Sequence, residues 1–149
     1  MMTILALATA ATLAGQGLRA PPPCPGRNTR EVNRCFEQRL ERAVDDLGRY
    51  AAAARRRLKQ EAAEAPSGSG GGGDPTRGFD AAEKAWSAYR EAECAAVYEH
   101  WAGGTIRTAK EITCRIRLTR LHTHTVWQEW LTYADNTPPI LPEPPVSPD

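Results

Sequence analysis

The stretch WSAYREAECAAVYEHWAGGTIRTAKEITCRIRLTRL, Trp86–Leu121, decides the fold of this chain. Two apolar stripes run through it, separated by Gly103-Gly104. Before the glycines, Trp86, Tyr89 and Ala92–Ala96 continue a row that begins at Phe79 and Ala82, at helical spacing. After them, Thr105 is placed to cap a helix with the stripe Ala109, Ile112, Ile116, Thr119, Thr123, Val126 and Trp130. A second row on that helix holds Cys114, Leu118 and Leu121. Strand-type alternation is absent. A glycine pair is a strong helix stop, and so short a connection folds the two helices into an antiparallel hairpin. The charges favour that packing. Asp80–His100 holds five acids and two bases, net −3, and Thr105–Trp130 holds five bases and two acids, net +3. Single surface pairs are worth little, so the apolar seam must carry most of the stability.

The cysteines agree with the hairpin. Cys94 stands nine residues before Gly103, and Cys114 ten after Gly104. At about 1.5 Å per residue the two are level, which predicts Cys94–Cys114 and leaves Cys24–Cys35. Loops of this size make each bridge worth about 3 kcal/mol. The successive cysteine spacings are 11, 59 and 20, with no Cys-x-x-Cys, so no zinc or other metal site is expected.

Toward the N-terminus, Val32, Phe36, Leu40, Ala43, Leu47, Tyr50, Ala54 and Leu58 fall three or four apart, predicting a first helix. Asn28 or Thr29 is its N-cap, with Glu31 in the first turn. Asp45 and Arg49 are spaced to pair one turn apart. The run Arg55-Arg56-Arg57 reads as a solvated face. Residues 66–78 form a Gly/Ser-rich linker, with Asp74 or Thr76 available to cap the next helix. No Lys-Ser/Thr follows the glycines, so they do not read as a phosphate loop.

Ile4–Gly15 is apolar or small over 12 residues, too short to span a membrane. It reads as the core of a signal peptide over residues 1–20. Loss of Arg19 would leave 18 basic and 18 acidic residues. The expected location is periplasmic or secreted, where disulfides persist, with no stable membrane insertion after cleavage. Prolines at 138, 139, 142, 144, 145 and 148 stop the last helix, and residues 135–149 are expected to be a disordered or extended tail.

The 149 residues therefore divide into a signal peptide (1–20), a helical domain (21–134) and a tail (135–149). The expected class is all-α, a small three-helix disulfide-stapled domain with a C-terminal antiparallel helical hairpin. With 19 Lys+Arg against 18 Asp+Glu the chain lacks the charge of a nucleic-acid binder. His122 and His124 lie two apart and face different sides of a helix. No serine sits in a nucleophile elbow, and nothing assembles nucleophile, base and oxyanion donors. The chain reads as a non-enzyme without a cofactor.

The order Trp86-x-x-Tyr89-Arg90-x-x-x-Cys94, Gly103-Gly104-Thr105, Cys114, Thr119-Arg120-Leu121 resembles the LprI-like lysozyme-inhibitor domain family. The first half agrees more loosely, through Cys24, Cys35, Asp46-Leu47 and Tyr50. Leu47-Gly48 stands where members often carry Leu-Asn, and the Gly/Ser insertion at 66–73 is a departure. The resemblance implies an exported helical bacterial domain that binds and blocks a lysozyme or a related envelope protein. The alternative is a non-inhibitory structural or adaptor protein of the envelope, docking through its Pro-rich tail or apolar helix faces. Of the motif residues, Trp86, Tyr89 and Leu121 read first as core. Arg90 reads as a partner of Glu93 or Asp80, and Arg120 as a cap or bridge between the hairpin helices. For an inhibitor, contact should centre on the turn His100–Thr105, using Trp101, Gly104 and Thr105. Glu93 and Glu99 would supply negative charge toward a cationic lysozyme.

Overall fold

The computed structural model describes residues 23–66 and 73–145. The expected signal peptide, linker positions 67–72 and the last four residues of the tail lie outside the described residues. Three helices make the domain: α1 (Thr29–Glu64), α2 (Arg77–His100) and α3 (Arg107–Trp130). No strand occurs among the described residues. The all-α class, the three helices and the hairpin are as the sequence predicts.

Asn28 caps α1. Its Oδ1 accepts the Glu31 N–H at 3.0 Å, while Glu31 reaches back to the Arg27 N–H at 2.8 Å. The first bond meets one of the donors that a helix start leaves unpaired, and the second ties the residue before the cap to the first turn. Cys24–Cys35 ties the preceding extended segment onto α1. Gly26 makes this close approach possible, because a Cβ there would lie 2.7 Å from the Val32 side chain.

α1 and α3 run parallel, and α2 runs antiparallel to both. Thr29 and Asn33 adjoin Thr105 and Thr108 at one end, and Arg57 meets Trp130 at the other. Across the hairpin, Phe79 pairs with Trp130, Glu83 with His122, and Cys94 with Cys114. α3 is the central helix, packed by α1 on one side and α2 on the other. It therefore buries Ile112, Cys114, Ile116, Leu118, Thr119, Thr123 and Val126.

The main core joins Leu47, Tyr50, Ala51, Ala53 and Ala54 of α1 with Phe79, Val126 and Leu131. The alanines suit a close helix–helix approach, since side-chain size sets interaxial distance. A smaller cluster surrounds Cys94, Cys114 and Leu118, and Trp86 packs against both clusters.

Four local expectations are corrected. Arg55-Arg56-Arg57 is not uniformly solvated. Arg55 pairs with Asp80 at 2.6 Å, and Arg57 donates to the carbonyls of Trp130 and Thr132 at 3.0 and 2.7 Å. Only Arg56 of the three is exposed. A helix C-terminus leaves carbonyls without partners, and Arg57 supplies them from the neighbouring helix. Thr105 does not cap α3; the N-cap is Ile106, without a side-chain bond. Neither Gly103 nor Gly104 takes a left-handed φ, and α2 already ends at His100.

The fourth concerns the tail. Residues 135–145 are non-helical, as the prolines require, but they are held against the domain. Ile140 N–H donates to Leu131 O at 2.9 Å, Trp127 Nε1 to Leu141 O at 2.9 Å, and Tyr50 Oη to Pro142 O at 2.7 Å. Leu141 packs on the core and Pro144 is buried. An extended proline-rich strand has no internal hydrogen bonds, so its carbonyls remain available to aromatic donors.

Candidate functional site

The hairpin tip is the site that the sequence points to, and its rigidity has local causes. Ala102 N–H donates to Glu99 O at 3.0 Å, and Gly104 N–H to Trp101 O at 2.9 Å. Below the turn, Cys94 and Cys114 clasp α2 to α3 with their Cα atoms 5.6 Å apart. Both cysteines are buried.

The tip carries aromatic and apolar side chains in partial contact with water. Trp101 is 37% exposed and Ile106 44%. Cations back the aromatic rings. Lys110 Nζ lies 4.9 Å from the Trp101 centroid, and the Arg107 guanidinium 4.9 Å from that of Tyr98. Such contacts contribute about 0.5–1 kcal/mol when exposed. Here they also set the charge of the tip, which is not predominantly acidic. Glu93 and Glu99 are both exposed. Six residues apart on a helix, they are turned about 120° from one another, so they do not form one acidic face.

An open cleft separates the tip from the start of α1, lined on one side by Gly103, Gly104 and Thr105 and on the other by Thr29 and Asn33. The Oδ1 of Asn33 is buried without a hydrogen-bond partner. Nothing in the sequence distinguished Asn33, because its position beside the tip follows from the parallel packing of α1 on α3.

The other motif residues divide into two groups. Trp86, Arg90 and Thr119 meet in the seam between α2 and α3. Arg90 Nη1 donates to Thr119 Oγ1 at 3.1 Å, and its guanidinium lies 5.0 Å over the Trp86 ring. Its carboxylate partner is Glu91 at 2.9 Å, not Glu93 or Asp80. Glu91 also binds Arg115 at 2.6 Å. Trp86 stacks on His122 with centroids 4.0 Å apart, and His122 Nε2 is 2.6 Å from Glu83. These residues hold the hairpin together. Tyr89 and Leu121, read from sequence as core, are 54% and 44% exposed. Tyr89 shares an exposed side of α2 with Ala85, Ala88 and Ala92, and Leu121 lies on the exposed row of α3 with Arg117 and Thr125. Arg120 lies far from the tip, beside the α1–α3 groove.

Among the described residues no group of three or more His, Cys, Asp or Glu is placed to hold a metal ion. No helix there is long and apolar enough to cross a membrane.

No curated protein and no solved structure matches the chain. A family model does: the one described as lysozyme inhibitor LprI matches residues 24–125. That span takes in both disulfides, the whole hairpin turn and the Trp86–Arg90–Thr119 seam, and stops short of the docked tail. By the order of these residues and the helices that carry them, the chain belongs to the LprI lysozyme-inhibitor family.

Proposed function

We propose that this domain is a binding protein that engages a lysozyme and blocks it, with the α2–α3 hairpin tip as its contact surface. The observation that carries this reading is Trp101, 37% exposed on a hydrogen-bonded turn clasped by a buried disulfide. Tryptophan and arginine are the residues most enriched at binding hot spots, and a turn already held in shape loses little freedom on binding. The cations fit the target. A glycosidase cleft carries two carboxylates about its scissile bond, and Arg107 and Lys110 stand beside the aromatic tip. Glu93 and Glu99 then act at the rim, steering encounter with a cationic enzyme. The role is non-catalytic. Two disulfides suit a periplasmic or secreted location.

The adaptor alternative loses one of its supports, since tail residues 140–145 are engaged on the domain itself. Inhibition of a panel of muramidases by the disulfide-bonded protein tests the main reading. Inhibition that falls when Trp101→Ala is combined with replacement of Gly103–Thr105, in a folded variant, is the expected result. Full inhibition by that variant moves the site elsewhere, and no inhibition of any muramidase by the native chain favours the adaptor.

A further inference from the structure

The proline-rich tail lies in a groove between α1 and α3, apart from the hairpin tip. Trp127, which holds it, is twenty residues beyond the start of α3, about 30 Å along the helix from the tip. Two aromatic donors meet the tail from the two walls. Trp127 Nε1 of α3 donates to the carbonyl of Leu141, and Tyr50 Oη of α1 to that of Pro142, at 2.9 and 2.7 Å. The accepting carbonyls are successive. Leu141 and Pro144 turn inward, while Ile140, Pro142, Glu143 and Pro145 are exposed. A spacing of three residues is that of one face of a polyproline helix. Leu141 packs on the core, and Pro144 shares a recess with the buried Ala43 and Thr123. The tail lines that recess without filling it, leaving about 220 Å³.

We propose that this groove is a docking site for an extended proline-rich segment of a partner protein, of the pattern Leu-Pro-x-Pro, and that the tail is its resident occupant. The seated tail shows what the groove reads. Phenol and indole donors on buried rings need acceptors, and main-chain carbonyls are common to every sequence, so selectivity falls to the two inward side chains. Proline suits the ligand for a second reason. From 142 to 145, Glu143 alone carries a backbone N–H, so carbonyls leave water without stranding donors. A polyproline segment is also extended before it binds and loses little freedom. The tail is detachable. Its Ile140 N–H closes a short loop onto Leu131 O at 2.9 Å, and the segment beyond contains no helix, so its release unwinds nothing. So short a tether gives the tail a local concentration of about millimolar, which favours it over the identical tail of a second copy. A partner prevails by binding more tightly, and the unfilled recess beside Pro144 leaves room for a larger side chain there. The inference is independent of the proposed inhibition, because it uses no residue of the tip.

The test supplies the tail's own sequence in trans, as an end-capped peptide of residues 138–145, to the full disulfide-bonded chain. Nuclear magnetic resonance follows the Trp127 indole N–H and the exchange rate of the Ile140 amide. Saturable binding is expected, with faster exchange at Ile140 as the tail leaves. A chain carrying Leu141→Ser and Pro144→Ser has a weakened internal competitor and should bind the peptide about tenfold more tightly than the native chain. Adding Tyr50→Phe to that chain should weaken binding again. In the peptide, Leu141→Ser or Pro144→Ser should each weaken binding about tenfold, and the outward Glu143→Gln by less than about fivefold. Binding to either chain with this pattern supports the site. Binding to neither chain, or binding indifferent to Leu141→Ser and Pro144→Ser in the peptide, overturns it. A native chain that sediments as a dimer, and that the peptide returns to monomer, assigns the groove to a second copy's tail and overturns the partner. Should the Leu141→Ser, Pro144→Ser chain fail to fold, the native chain decides. Ile140 exchange accelerated by the parent peptide and not by its Leu141→Ser variant supports the proposal, and equal exchange with both overturns it.

Discussion

The indole N–H of Trp127 donates to the carbonyl oxygen of Leu141 at 2.9 Å, fourteen residues further along the chain. With the Tyr50 hydroxyl on Pro142 O at 2.7 Å, it fastens the proline-rich segment across α1 and α3. Tyr50 is 2% exposed, and burial pushes its hydroxyl above the usual tyrosine range. Tyr50→Phe keeps the ring and deletes the donor. The expected cost is about 1 kcal/mol, with faster proteolytic cleavage between residues 132 and 145. An unchanged cleavage rate would show that the hydroxyl does not hold the tail.

Arg57 supplies the carbonyls of Trp130 and Thr132 and lies 4.3 Å over the Tyr133 ring. Arg57→Met keeps much of the stem but removes both charged hydrogen bonds, and should cost about 2–3 kcal/mol in denaturant unfolding. Arg56→Met, one position away and exposed, should stay within about 0.5 kcal/mol of the parent. Equal effects at the two positions would mean that the cap on α3 contributes nothing.

Asp80 accepts from Arg55 Nε at 2.6 Å and lies 2.9 Å from the Thr76 hydroxyl. These bonds, that of Arg55 first, hold its carboxyl below the usual aspartate range. Thr76, through its N–H and then its hydroxyl, does the same for Asp74. A carboxyl whose folded pKa is depressed adds stability above its unfolded value of about 3.9, and that stability is lost as pH falls through the folded value. Asp80→Asn should therefore be less stable than the parent at neutral pH. The two should converge in strong acid. Denaturation curves that stay equally separated at every pH would contradict this.

A Cβ at Gly103 would meet nothing within 4 Å, and the residue has no left-handed φ. Gly103→Ala should then be neutral or raise stability by up to about 1 kcal/mol, through lower entropy of the unfolded chain. It is a clean probe of the tip, because any loss of lysozyme binding would not come from misfolding. Substantial destabilisation would show strain that the backbone geometry does not display.

Reversing Glu99 to Lys should slow association with a cationic lysozyme, and the difference should shrink as salt screens exposed charge. Lys110→Glu should act mainly on dissociation if Lys110 meets a carboxylate in the cleft. Stopped-flow binding at two ionic strengths separates the two effects. An association rate indifferent to Glu99 would remove the steering role.

What the sequence alone determined is what depends on distance along the chain. The 3.6-residue period located the three helices. The rise per residue, counted outward from Gly103-Gly104, paired Cys94 with Cys114 across the hairpin. The order Trp86 to Leu121 carried the family. Tertiary structure decided which faces those helices bury. Because α3 is central, Thr119 and Thr123 are enclosed, while Tyr89 and Leu121, read as core, remain in water. The parallel packing of α1 turned Arg57 from a surface charge into the cap of α3 and set Asn33 beside the tip. It also opened the groove that receives Pro144. Periodicity records that a residue shares a face with its neighbours on the same helix. It holds no information about which other segment arrives to cover that face, and docking of the tail and the exposure of Trp101 both rest on that choice.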